Sequence, residues 1–114
     1  MADKFEKLSI YNVDFKIKDR DDLEHTFTFK PLPFSRFPEV FEVVKELQGL
    51  SKKATSTEEM FQYFTSEFIE KLAELEVAMV KRSYPEMDDD KVQGFVQSNL
   101  FDLVEPLVQT SFKQ

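Results

Sequence analysis

The side chains that most often do chemistry are scarce in this sequence, and they do not cluster. His25 is the single histidine and there is no cysteine. Disulfides, thiolate metal sites and cysteine nucleophiles are thereby removed, and no two histidines can share a zinc ion or a proton relay. His25 shares the parity of Phe27 and Phe29 in a strand, with no second titratable group placed to orient it. That suits a half-covered histidine at a hairpin edge better than a general base. Glu86, Asp88, Asp89 and Asp90 form an acidic run. It lacks the glycine and the distal glutamate of a calcium loop, so capping and solvation of a helix start account for it, ahead of a weak Mg²⁺ or Ca²⁺ contact. Glu67, Glu70, Glu74 and Glu76 read as the solvated side of a long helix, relieved by i, i+4 pairing with Lys71 and Lys81. Gly49 and Gly94 are too isolated for a phosphate-cradling loop, and neither GxGxxG, GxxxxGK[ST] nor GxSxG occurs. The expectation is a protein that is not an enzyme, with no catalytic, cofactor-binding or metal-binding residues and no cofactor.

Charge narrows the partners. The 114 residues carry 22 acidic against 15 basic side chains, a net charge of −7. A protein that tracks a phosphate backbone needs the opposite excess, and anionic membrane surfaces are disfavoured for the same reason. No apolar run approaches the ~18 residues that span a bilayer, and the first residues show no apolar h-region of a secretory signal. No nucleic acid, no membrane and a cytoplasmic location are expected, with a protein as partner and a homo-oligomer allowed.

Composition is that of a folded chain, with 13 Phe as its unusual entry. One domain over 1–114 is expected, of α+β class and mostly helical: a loose arm over 1–9, a β-hairpin over 10–30 and a helical part over 38–112. In the hairpin, Val13, Phe15 and Ile17 alternate with Asp14, Lys16 and Lys18, a polar turn follows at Asp19 to Asp22, and Phe27 and Phe29 alternate with threonines. Pro31 and Pro33 end the second strand. A first helix over about 38–48 carries Phe37, Val40, Phe41, Val44 and Leu47 at helical spacing, with Gly49 as its left-handed terminator. Ser56 and Glu59 form a capping box before a long helix over about 57–83, stopped by Tyr84-Pro85. Asp88 caps a last apolar stripe, Val92 to Leu107, interrupted by Pro106: either the helix kinks there or Asn99 to Asp102 separates two shorter helices.

The long helix is apolar on more than one side. Phe61, Phe64, Phe68, Leu72, Leu75 and Met79 form the main stripe, and Ile69, Ala73, Val77 and Val80 a second one further round. Such a helix is either sandwiched between elements or offers a face to a partner. Eight phenylalanines, Phe15, Phe27, Phe29, Phe37, Phe41, Phe61, Phe64 and Phe68, can close a core. The expected contact surface is then Ile69, Ala73, Val77 and Val80, joined by Phe34 and Phe37 on the proline-rich loop.

In order, the chain has a hairpin, the exit Phe29-Lys30-Pro31-Leu32, an amphipathic helix, a polar linker and a long helix. It then passes through Lys81-Arg82-Ser83-Tyr84-Pro85 and an acidic cap to a closing segment with Phe95-Val96, Asn99-Leu100 and Leu103. Over residues 10–108 this resembles the small tail assembly chaperones of long-tailed bacteriophages and prophages. The resemblance implies a non-enzymatic role in virion assembly, keeping an apolar tape-measure protein soluble while the tail-tube protein polymerises around it. It supplies no catalytic residue, and the family is often also made with a frameshifted C-terminal extension. A second reading of the acidity is an inhibitor or adaptor that occupies a nucleic-acid-binding site on another protein.

Overall fold

A computed structural model gives the structure and describes residues 12–111. The arm expected over 1–9, the first two residues of the expected hairpin and residue 112 lie outside that range. Strands β1 (Val13–Lys18) and β2 (Glu24–Phe29) pair antiparallel from Val13↔Phe29 to Lys18↔Glu24. Their turn is held by Asp19 N–H donating to Leu23 O at 2.9 Å and Asp22 N–H to Asp19 O at 3.0 Å. Asp22 sits at φ 63, the left-handed residue that lets a three-residue loop match the twist of the strands.

Five helices follow among the described residues: α1 (Phe37–Lys53), α2 (Thr57–Gln62), α3 (Ser66–Ser83), α4 (Asp89–Ser98) and α5 (Val104–Ser111). A 3-10 turn, Phe34–Arg36, leads into α1, with Pro38 in the first turn. The architecture is therefore α+β and mostly helical, a hairpin beside helices.

Two boundaries differ from the sequence expectation. Helix α1 does not stop at Gly49. No glycine has positive φ, and the helix runs on to Lys53 because Leu50, 7% exposed, continues the buried series of Val40 and Val43. Burying a leucine contributes about 1.5–3 kcal/mol, more than the ~1 kcal/mol that an interior glycine costs. The expected long helix is two: the chain leaves helical geometry after Gln62, and Thr65 starts a new helix by accepting from Phe68 N–H at 3.1 Å. The closing stripe is two helices, parted at Asn99 to Leu103 and not at Pro106. Pro106 falls in the first turn of α5, where a missing N–H costs nothing.

Two caps stand as expected. Ser56 Oγ accepts from Glu59 N–H at 3.1 Å, although the Glu59 carboxylate turns back to Thr55 rather than to Ser56. Asp88 caps α4 by accepting from Asp90 N–H at 3.0 Å.

Helix α3 is the centre of the molecule, packed by α1, α4, α5 and β2. The core around it is aliphatic: Val40, Val43, Leu72, Leu75, Met79, Val80, Val92, Val96, Leu103 and Leu107, with Ile17, Phe29 and Phe68. This reverses the expected phenylalanine core. Of the eight phenylalanines only Phe29 and Phe68 are buried, and Phe41 is half exposed. Small branched side chains let helices approach closely, while the rings fill the wider gaps at the margins. Phe27 stacks with Phe29 at 6.0 Å, meets Tyr84 edge-on at 6.1 Å and tilts against Phe95 at 5.0 Å.

Candidate functional site

The second stripe of the central helix is used by the fold. Val80 is 1% exposed, Ala73 and Val77 pack half-buried against the core, and Ile69 is half-buried. The helix is sandwiched, the first of the two alternatives the pattern allowed. Val80 is thus removed from the expected contact surface, because four neighbouring elements already cover α3. Phe34 and Phe37 fare differently. Phe34 is 86% exposed and its ring stacks on the half-buried Phe37 at 5.6 Å.

The larger apolar surface lies where the expected long helix breaks. A groove of about 530 Å³ opens between α1, α2 and the start of α5. Val44 and Leu47 of α1 form one wall, Met60 and Phe61 of α2 another, and Val104 and Val108 of α5 a third. Phe64, in the link to α3, and Phe101, in the turn before α5, close its inner side. The rings interlock: Phe61 stacks on Phe101 at 4.1 Å with planes 9° apart, and Phe64 meets Phe61 at 5.5 Å and Phe68 at 4.7 Å edge-on. Phe101 keeps 42% of its surface exposed. Glu105 is the one charged residue in the lining, so an apolar ligand loses little on entering.

His25, at the tip of the hairpin, does have an orienting carboxylate, contrary to the sequence reading: its Nε2 lies 2.6 Å from Asp19 Oδ2. That contact, with N–H donors from Leu23 and Asp21, holds the Asp19 carboxyl below its ordinary value. The other carboxylate oxygen, Oδ1, accepts both turn amides, which makes Asp19 a structural residue first. The small pocket beside the pair is lined by Ile17, Lys18, Phe27, Phe95 and Asn99.

Glu76 is the residue the sequence reading misplaced most. It was expected on a solvated face, yet it is 0% exposed and neither carboxylate oxygen has a hydrogen-bond partner. Loss of water alone pushes its carboxyl up to about 9, so it is neutral near pH 7. A signal for this existed: Leu72, Glu76 and Val80 are successive i, i+4 positions lying between the two apolar stripes. Phe101 lies off the apolar stripe from Val92 to Leu107, although it precedes Val104 and Val108 at helical spacing and all three line the groove.

The other charges join elements instead of forming a site. Lys71 pairs with Glu42 of α1, and Arg36 Nη2 reaches Glu39 at 2.9 Å and Glu74 at 3.0 Å. Lys81 pairs with Asp89 at 2.7 Å and donates to Met87 O at 3.0 Å. The i, i+4 pairing expected for the two lysines is replaced by bonds between helices. Among the described residues no group of three or more His, Asp or Glu is placed to hold a metal ion, and no helix is long and apolar enough to cross a membrane.

Compared with protein-family models, with curated proteins and with solved structures, the chain finds no match in any of the three.

Proposed function

We propose that this protein is a non-enzymatic binding protein of the phage tail-assembly-chaperone type, which captures apolar helical segments of a tape-measure or tail-tube protein in the host cytoplasm. The observation that carries this reading is the groove walled by Phe61, Phe64 and Phe101. It is open, aromatic and nearly uncharged, and an amphipathic helix lays its apolar face into such a groove. The sequence resemblance supplies the biological setting, and the groove supplies the surface in place of the Ile69, Ala73, Val77 and Val80 stripe. The exposed Phe34 with Phe37 gives a second apolar contact at the start of α1.

The direct test is binding of the full chain to a tape-measure fragment, followed in parallel with far-UV circular dichroism to confirm folding. Phe101→Ser and Val108→Asp change groove residues that are not fully buried. Each should weaken capture at least about tenfold, whereas Leu23→Ser on the hairpin turn should leave it unchanged. Folded Phe101→Ser and Val108→Asp proteins that still capture the fragment would refute the groove. Binding that collapses as ionic strength rises would favour the acidic inhibitor or adaptor instead, since apolar capture is insensitive to salt.

A further inference from the structure

The two outer edges of the hairpin are not alike. The edge of β2 is closed by the end of α3: Thr28 N–H donates to Tyr84 Oη at 2.9 Å and Lys30 N–H to Ser83 Oγ at 2.8 Å. These bonds also fix the ladder parity. Thr28 points away from β1, so its pair with Asp14 exchanges no ladder bonds, and the same holds for Lys16 with Thr26 and Lys18 with Glu24. The N–H and C=O groups of Asp14, Lys16 and Lys18 therefore face outward from β1. Among the described residues no strand lies along that edge.

We propose that the free edge of β1 pairs antiparallel with β1 of a second copy, giving a four-stranded sheet across a two-fold axis at Phe15. The charge pattern selects this register. With Phe15 on the axis, Asp14 of each copy faces Lys16 of the other, and each such pair exchanges two backbone hydrogen bonds. Moving the axis to residue 16 sets Lys16 against itself, moving it to 14 sets Asp14 against itself, and moving it to 17 sets Lys16 against Lys18. Lysines on an edge strand ordinarily repel a second strand. Here the change of sign at Asp14 makes one register self-complementary. On the opposite face that register places the half-buried Phe15 against its copy and Val13 against Ile17, extending the apolar side of the sheet. Among the described residues Lys16 makes a 3.6 Å contact with Glu24 between two exposed side chains, and Asp14 accepts from Thr28 Oγ1 at 2.8 Å, which leaves its second carboxylate oxygen for the lysine of the other copy.

The test is the mass of the full-length protein in solution by light scattering and sedimentation over a wide concentration range, with hydrogen exchange read at Asp14, Lys16 and Lys18. The expected result is a dimer whose formation protects these three amides. Asp14→Lys alone and Lys16→Asp alone should each weaken it at least about tenfold, because symmetry makes two pairs repulsive at once. The double exchange Asp14→Lys with Lys16→Asp should restore it. Lys16→Pro removes an outward N–H that makes no ladder bond, so it should abolish the dimer while the hairpin stays paired. A dimer indifferent to all four variants would place the interface elsewhere and overturn the proposal. A monomer at every concentration would also overturn it. Protected amides in that monomer would assign the edge to residues 1–11 of the same chain, and unprotected ones would leave it without an occupant.

Discussion

Replacing Glu76 by Met should stabilise the protein, and by an amount that grows with pH. The carboxyl is neutral in the fold, held at about 9 by its dry surroundings, and ionises near 4.5 once the chain unfolds. Between those values the folded state binds one proton more than the unfolded state. Stability therefore falls as pH rises, by about 1.4 kcal/mol per pH unit. The stabilising proton is fully counted below the unfolded value, and its contribution is lost progressively up to the folded one. At pH 7, about 2.5 pH units above the unfolded value, ionisation of the unfolded chain costs the fold about 3 kcal/mol. Many domains of this size hold only ~5–15 kcal/mol in total, so the effect is large. Methionine has similar length and no group to ionise, and it adapts to irregular space. The assay is urea unfolding of both proteins at pH 5, 7 and 8. Subtracting one pH profile from the other cancels every other titrating group. The advantage of Glu76→Met should widen by about 4 kcal/mol from pH 5 to pH 8. Two profiles that run parallel would refute the burial of an unpartnered carboxyl.

Four smaller effects are open to the same unfolding measurements. Gly49→Ala and Gly94→Ala should each stabilise by about 1 kcal/mol, because both glycines lie inside helices and an added Cβ meets nothing within 4 Å. Thr65→Ala should cost about 1 kcal/mol by uncapping α3, with amide exchange fastest at Phe68, whose N–H the threonine holds. Tyr84→Phe should cost about 1 kcal/mol and expose the Thr28 amide to exchange, since the phenol oxygen is its acceptor. Asp19, lowered by His25 and by turn amides, supports the hairpin above its unfolded value and loses that support as pH falls through its folded one. The protection of the Leu23 amide, taken relative to its intrinsic exchange rate at each pH, should accordingly fall in acid, and Asp19→Ala should abolish that pH dependence.

The hairpin was legible because a period of two over Val13 to Lys18 and again over Thr26 to Phe29 admits few alternatives, and because Asp19 and Asp22 are turn formers. The caps at Ser56 and Asp88 were legible for a similar reason, being local hydrogen bonds between near neighbours. The break at Thr65 was not. Phe61, Phe64 and Phe68 keep helical spacing straight through it, and no Gly or Pro marks residues 63–65. The destination of the apolar side chains was hidden for a deeper reason. Periodicity shows which face of a helix avoids water but not how many neighbours share it. Helix α3 has four, so Val80 and Glu76 are enclosed while Phe101, in a turn between two helices, borders the groove. Chemistry was read as absent from composition, and the Asp19–His25 contact arises only from a turn that folds two residues six apart onto one another.

The placement of α3 also orders the life of the chain on the ribosome. The hairpin and α1 are synthesised first, yet both lean on residues 66–83 and, for β1, on α5 at the far end of the sequence. A lone two-stranded hairpin is marginal in water, so the early half of the nascent polypeptide has nothing to settle against until α3 emerges. During that interval Phe27, Phe29 and the valines of α1 are open to proteases and to any holdase within reach. The apolar side chains that α3 later covers thus need shelter of their own before it is made.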